Sequence, residues 1–104
     1  MQLHLDTVDI LTRNTKNSEC GLVGTSPVVS VLDKNGDRAR LWLYADSGNS
    51  GKIYLRWDGE DPSSTSYHVE LVAGAGLLFD AVCPGGEIKI IGSAASQRYS
   101  IEEG

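Results

Sequence analysis

Regularly spaced turn sequences limit how this chain can fold. Segments rich in Gly, Asn, Ser and Pro occur at 35–36, 47–51, 59–64, 74–76, 84–86 and 92–96. Short runs rich in Val, Ile, Leu, Trp and Tyr lie between them. Strand-length runs separated by such turns every 8–12 residues or so are typical of β-sandwiches and barrels. No long window keeps the spacing of an amphipathic helix, so the sequence predicts an all-β protein with little or no helix.

The apolar runs alternate in the way expected of strands that bury one face. Leu41, Leu43 and Ala45 share one phase, and Trp42 and Tyr44 share the opposite one. We therefore expect a single small antiparallel β-sandwich, Ig-like or jelly-roll-like, with seven to eight strands. The predicted strands span 28–33, 38–46, 51–58, 66–72, 76–82, 86–92 and 97–102, with an eighth over 2–11.

The N-terminal part of the chain differs from the rest. Residues 12–27 are polar and contain glycine, and they show no periodicity. A long segment of this kind is usually functional or disordered when it belongs to a compact domain, so we expect a loop or an extended arm. The chain is accordingly divided into an N-terminal strand or arm, 1–27, and a sandwich domain, 28–104.

Two hairpins are expected in the middle of the chain. Asn35 and Gly36 suit a two-residue turn, which would pair strand 28–33 with the strand that follows. Matching of the apolar faces then places Leu43 beside Leu55 in the next hairpin.

This arrangement would gather aromatic and arginine side chains on one outer face. Trp, Tyr and Arg are enriched at the energetic centres of protein interfaces, so this patch is the candidate protein-interaction site. Coverage of the same face by residues 2–27 or by the edge of another sheet is the equally weighted alternative, because soluble monomers seldom expose large apolar patches. The patch consists of Arg40, Trp42, Tyr44, Tyr54 and Arg56.

Charge and hydropathy exclude several classes of partner. The 104 residues include 9 Lys and Arg against 14 Asp and Glu, giving a net charge of −5. Nucleic-acid binding needs concentrated positive charge, so no nucleic-acid partner is expected. No run approaches the ~18 apolar residues of a membrane helix, and the N-terminus lacks the basic flank and apolar core of a signal peptide.

No catalytic, cofactor or metal site is predicted, and we expect a protein that is not an enzyme. A hydrolase would require His4 or His68 to lie in a pocket against a carboxylate. Cys20 and Cys83 show no zinc-ligand spacing and are expected to be reduced. The acidic turn 58–62 is interpreted as a solvated turn, with weak cation binding as the alternative.

The C-terminal two-thirds of the chain carries a recognisable order of strands and turns. A strand ending in an Asn/Asp turn precedes IYLRW at 53–57, and a Ser/Thr-rich loop follows. A further strand ends in the glycine turn 71–76, and GEIKIIGS at 86–93 precedes YSIEE at 99–103. This order resembles that of small β-sandwich virion accessory proteins of tailed bacteriophages, in particular capsid decoration or cement proteins.

The resemblance implies a structural protein that binds the major capsid protein on the outside of the shell. Such proteins assemble in the host bacterial cytoplasm, and the resemblance suggests a homo-oligomer, with a trimer favoured. Binding to the assembled shell would stabilise it by mass action. The alternatives are another virion component, such as a head-fibre base, neck or tail protein, and a carbohydrate-binding module that uses Trp42, Tyr44 and Tyr54.

Overall fold

The computed structural model describes residues 17–104, which form two packed four-stranded antiparallel sheets and contain no helix. Sheet A has the strand order β1-β8-β3-β6, and sheet B has the order β2-β7-β4-β5. The predicted all-β sandwich is therefore confirmed. The strands are β1 (Asn17–Val23), β2 (Val29–Leu32), β3 (Leu41–Ala45), β4 (Ile53–Arg56), β5 (Val69–Leu71), β6 (Gly76–Phe79), β7 (Ile88–Gly92) and β8 (Gln97–Glu103).

The core lies between the inner faces of the two sheets. Leu41, Leu43 and Ala45 of β3 are fully buried, as are Ile88 and Ile90 of β7. The strands β2 to β8 coincide with the predicted ones to within a residue or lie inside them, because the two-residue alternation records which side of each strand is buried. The predicted strand at 2–11 lies outside the described residues.

Trp57 follows β4 and has the same phase as the buried Ile53 and Leu55. The structure places it at the margin, half-buried, with its ring 5.6 Å from that of Phe79 in an edge-to-face contact. This contact joins the end of sheet B to β6 of sheet A, and edge-to-face rings are a favourable aromatic geometry.

The predicted hairpins are wrong. β2 and β3 lie in different sheets, and so do β3 and β4. Leu43 pairs with Leu77 and Ile101 instead of Leu55, which pairs with Val69 and Ile90. Leu43 and Leu55 do face the same interior, but from opposite sheets. Matching of apolar faces does not distinguish strands that are neighbours in one sheet from strands that face each other across the sandwich.

The turn at Asn35 has a different role from the predicted one. The Arg38 N–H donates to the Asn35 carbonyl at 3.1 Å, and the Asp37 N–H donates to Asn35 Oδ1 at 3.0 Å. Gly36 and Asp37 are thus the central residues of the turn, where Asn35 and Gly36 had been expected. The turn belongs to the connection that takes the chain from sheet B to sheet A.

The expectation of a loop or arm over 12–27 is wrong for residues 17–23, which form β1 and pair with β8 along their whole length. The sequence did not reveal this strand because one of its inward-facing positions is a glycine. Gly21 faces the ring of Tyr99, and a Cβ at Gly21 would lie 2.8 Å from the Tyr99 hydroxyl oxygen. Glycine therefore occupies a position where an apolar residue would have revealed the alternation, which leaves Val23 as the buried apolar side chain at the end of the strand.

A buried ion pair connects three segments at one end of the sandwich. Arg38 and Glu103 are 5% and 4% exposed, and Arg38 Nε lies 2.7 Å from Glu103 Oε1. The same guanidinium donates to the carbonyls of Asp33 at 2.8 Å, Pro84 at 2.6 Å and Gly86 at 3.0 Å. Each nitrogen of Arg38 therefore has an acceptor, which meets the requirement for burying a charge.

Replacement of Glu103 by Gln should lower the free energy of unfolding by about 3–5 kcal/mol, because it leaves the Arg38 charge buried without a counter-charge. The double change Arg38→Met/Glu103→Leu should not restore stability, since the carbonyls that Arg38 satisfies would lose their donor. Urea denaturation measures both effects. The exposed pair Lys52–Glu70, 3.1 Å apart, supplies the control. Glu70→Gln should cost less than about 1 kcal/mol, and equal losses from Glu70→Gln and Glu103→Gln would contradict the prediction.

Candidate functional site

The five residues of the predicted interaction patch do not share one surface. Trp42 and Tyr44 lie on the outer face of sheet A, and Arg40 immediately precedes the same strand. Tyr54 and Arg56 belong to β4 in sheet B, on the other side of the molecule. The expected single patch is wrong because it depended on the β3–β4 hairpin. The role of these residues in protein interaction stays a prediction.

The outer face of sheet A carries an exposed apolar surface. The rings of Trp42 and Tyr44 are stacked, with centroids 5.7 Å apart and planes 6° from parallel. Leu78 of β6 is the strand partner of Trp42 and is 52% exposed, while Leu22 of β1 is 54% exposed. We call these four side chains the sheet A patch. The sequence contained a signal for Leu78, because it has the outward phase between Leu77 and Phe79.

Polar groups lie between the outer strands of the sheet A patch. Glu102 of β8 is opposite Trp42, and Arg98 of the same strand is opposite Leu22. Between them, Ser100 Oγ lies 3.4 Å from Cys20 Sγ. The polar residues of β8 therefore separate Leu22 from the apolar side chains of β3 and β6, where Trp42, Tyr44 and Leu78 are adjacent.

The outer face of β4 in sheet B is covered by the connection between β4 and β5. Tyr54 points outward from β4 but is only 8% exposed, because Tyr67 lies over it with ring centroids 5.0 Å apart. Arg56 is also occupied, since its guanidinium donates to the hydroxyl of Ser66 at 2.6 Å and to the carboxylate of Asp58. Tyr54 and Arg56 thus hold this connection against its own sheet.

His68 meets part of the condition for a hydrolase, since its Nε2 lies 3.7 Å from Asp58 Oδ2. Its Nδ1, however, accepts the Trp57 N–H at 3.2 Å, and two hydrogen bonds from Arg56 hold Asp58. Both ring nitrogens of His68 thus face groups of the β4–β5 connection, which these contacts hold in place. The geometry supports a structural role for His68 better than a base directed at a nucleophile. His4 lies outside the described residues.

Two of the three carboxylates of the acidic turn are paired with cations of the protein itself. Asp58 binds Arg56, and Asp61 Oδ1 lies 3.1 Å from Lys89 Nζ. Within residues 17–104, no group of three or more His, Cys, Asp or Glu side chains could hold a metal ion. This part of the chain also contains no helix of the length and apolarity required to cross a membrane.

The two cysteines are free thiols in different environments. Cys20 is exposed on the outer face of sheet A, while Cys83 is half-buried and packs against the core. Burial raises the pKa of the Cys83 thiol, which keeps it in the less reactive protonated form.

Comparisons with known proteins find solved structures of similar fold, but they assign the chain to no family. No family model matches the chain, and no curated protein matches its sequence. A solved structure of Bacillus endospore appendages, described as forming a novel family of disulfide-linked pili, is 14% identical with a TM-score of 0.50, over 84% of both chains. The Yersinia pseudotuberculosis-derived mitogen is 12% identical with a TM-score of 0.47, over 84% of this chain and 82% of that one.

Replacement of Asp58 by Asn should lower the melting temperature at pH 7. The difference from the native chain should become smaller as the pH falls. Hydrogen bonds from Arg56 hold the pKa of Asp58 well below its usual range, against a value of about 3.9 in an unfolded chain. The stabilisation is therefore fully present above the unfolded pKa and is lost as the pH falls through the folded pKa. Thermal unfolding from pH 7 to pH 2 should show the two proteins converging below about pH 4. Glu60→Gln in the same turn is the control, and a pH-independent difference for Asp58→Asn would contradict the assignment.

Proposed function

We propose that this protein is a non-catalytic structural component of a tailed bacteriophage, a decoration protein that binds the major capsid protein on the outside of the expanded shell. The observation that carries the proposal is the difference between the two outer faces. On sheet B the β4–β5 connection covers Tyr54 and leaves Tyr67 and Val72 partly exposed, whereas the sheet A patch exposes two leucines beside a stacked Trp–Tyr pair. An exposed apolar patch with aromatic residues is typical of a docking surface.

The charge of the chain supports an outward location. A net charge of −5 favours contact with basic patches on the shell and disfavours contact with the packaged nucleic acid. The side chains of Arg98 and Glu102 lie beside the sheet A patch, where they would help to set the orientation of binding.

The function would be exerted through binding equilibria. A protein that binds the expanded shell and not the separate capsid subunits stabilises the shell by mass action. A trimer would engage three sites at once and so gain avidity from modest individual contacts.

The sandwich architecture also suits a repeating assembly. The Bacillus endospore appendage protein with a similar fold is described as forming pili. It is the order of strands and turns from residue 38 onward, described above, that favours the phage shell over a fibre.

Co-sedimentation with expanded heads tests the proposal, using heads assembled from the major capsid protein encoded in the same genome. The native chain should bind these heads and raise their resistance to heat. Trp42→Ala should weaken binding by about tenfold or more, as expected for an aromatic anchor, and Leu78→Ser should also weaken it.

Val72→Ser is the matched control for Leu78→Ser. Val72 is 49% exposed, close to the exposure of Leu78, but it follows β5 in sheet B. Its replacement should leave binding unchanged. Failure of the native chain to bind, absence of a major capsid protein from the genome, or equal loss with Val72→Ser and Leu78→Ser would overturn the proposal.

The oligomeric state is a separate prediction. Light scattering coupled to gel filtration should give a mass about three times the 11.2 kDa of one chain. Trp42→Ala should retain the melting temperature of the native chain to within a few degrees, because its ring lies outside the core. A monomer at every concentration would contradict the trimer.

A further inference from the structure

A pocket on the outer side of sheet B is not used by the proposed capsid contact. Its volume is about 320 Å³. It opens where the β4–β5 connection meets the β1–β2 connection and the end of β7. Its lining includes Thr25, Tyr54, Ser63, Ser64, Ile91 and Ser93.

The lining has the chemistry of a site for a neutral polyol. It combines the hydroxyls of four Ser and Thr side chains with the mostly covered Tyr54 and the apolar side chain of Ile91, and it contains no charged side chain. A sugar ring presents the matching surface, since its hydroxyls act as donors and acceptors and its C–H groups form an apolar face. We propose that this pocket binds a single neutral pyranose ring.

The wall formed by the β4–β5 connection is held in place by hydrogen bonds. Ser63 and Ser66 exchange two backbone bonds, of 2.8 and 3.2 Å, which close a tight turn around Ser64. Arg56 of β4 holds this turn through Ser66, and the ion pair of Lys89 with Asp61 ties the same connection to β7.

The opposite wall is equally constrained. The Gly92 N–H donates to the Gly24 carbonyl at 2.8 Å, and Ser93 Oγ accepts the Lys52 N–H at 2.8 Å. A Cβ at Gly92 would lie 3.0 Å from the carbonyl oxygen of Ala94, so glycine permits this close approach of the chain. A pocket whose walls are fixed in advance needs little ordering when it binds a ligand.

Two hydroxyls of the pocket are available to a ligand. Within residues 17–104, the side chains of Thr25 and Ser64 make no hydrogen bond to another protein group. The volume is at the lower end of the range for small-molecule sites, roughly 300–1,000 Å³, which suits one ring and excludes a long glycan segment. A single ring with so few contacts should bind with a Kd of about 1 mM or weaker.

Amide chemical-shift titration of the isotope-labelled full chain tests the site. The probes are the methyl α-glycosides of glucose, galactose and mannose, together with N-acetylglucosamine. At least one should shift the amides of Thr25, Ser64 and Ser93 in a saturable way below about 100 mM. Glucuronic acid should bind more weakly, because the lining offers no positive charge.

Two sets of substitutions test whether the ligand uses the hydroxyls and the space of the pocket. Thr25→Ala/Ser64→Ala removes the two available hydroxyls and should weaken binding by at least about threefold. Ser64→Arg fills the pocket from an exposed turn position and should abolish the shifts.

Trp42→Ala is the control from the opposite sheet, and it should leave sugar binding unchanged. No saturable shift with any neutral probe, shifts that survive Ser64→Arg, or shifts lost in Trp42→Ala would each overturn the site. Since Ser64→Arg leaves the sheet A patch intact and Trp42→Ala leaves the pocket intact, failure of this proposal is distinguishable from failure of the capsid proposal.

Discussion

The Arg38–Glu103 pair lies where the chain passes twice between the two sheets. Asp33 belongs to the connection from sheet B to sheet A, and Pro84 and Gly86 belong to the connection that returns to sheet B. One guanidinium binds carbonyls of both connections together with the carboxylate of β8. These carbonyls are partly withdrawn from water, so loss of the Arg38 donor would destabilise both connections at once. The same group fixes the C-terminal end of β8, through Glu103, against both connections.

This arrangement explains how far the sequence predicted the fold. Alternation located the strands β2 to β8, because burial of one face imposes a two-residue period on any strand of a sandwich. The pairing was predicted incorrectly because β4 and β5 are the only consecutive described strands that pair with each other. A turn such as 35–38 shows where the chain reverses, and the sheet that receives the next strand is decided by distant partners. For β3 these are β8 and β6, far along the chain.

For the candidate surfaces too, local alternation predicted the direction of each side chain, whereas its exposure depends on distant parts of the chain. Trp42 and Tyr54 were both assigned correctly to outward positions. Their exposure differs because the connection that covers Tyr54 is polar and rich in turn residues, which made it look like a solvated loop. Its attachment depends on Arg56, a residue that the sequence had placed in an interface. Arg56 instead uses its donors within the chain, on Asp58 and Ser66.

The two proposals use opposite faces of one thin molecule, which gives them a definite spatial relation. The inner faces of packed sheets are separated by about 10 Å, so a ligand on sheet B and a partner on sheet A do not compete for space. A protein docked on a shell through the sheet A patch would turn the covered face of sheet B outward. The hydroxyl-lined pocket would then open toward the surrounding solution, where sugars of a cell surface would be accessible to it. Contact with the shell and contact with a sugar are therefore compatible in a single orientation, and neither requires the core to move.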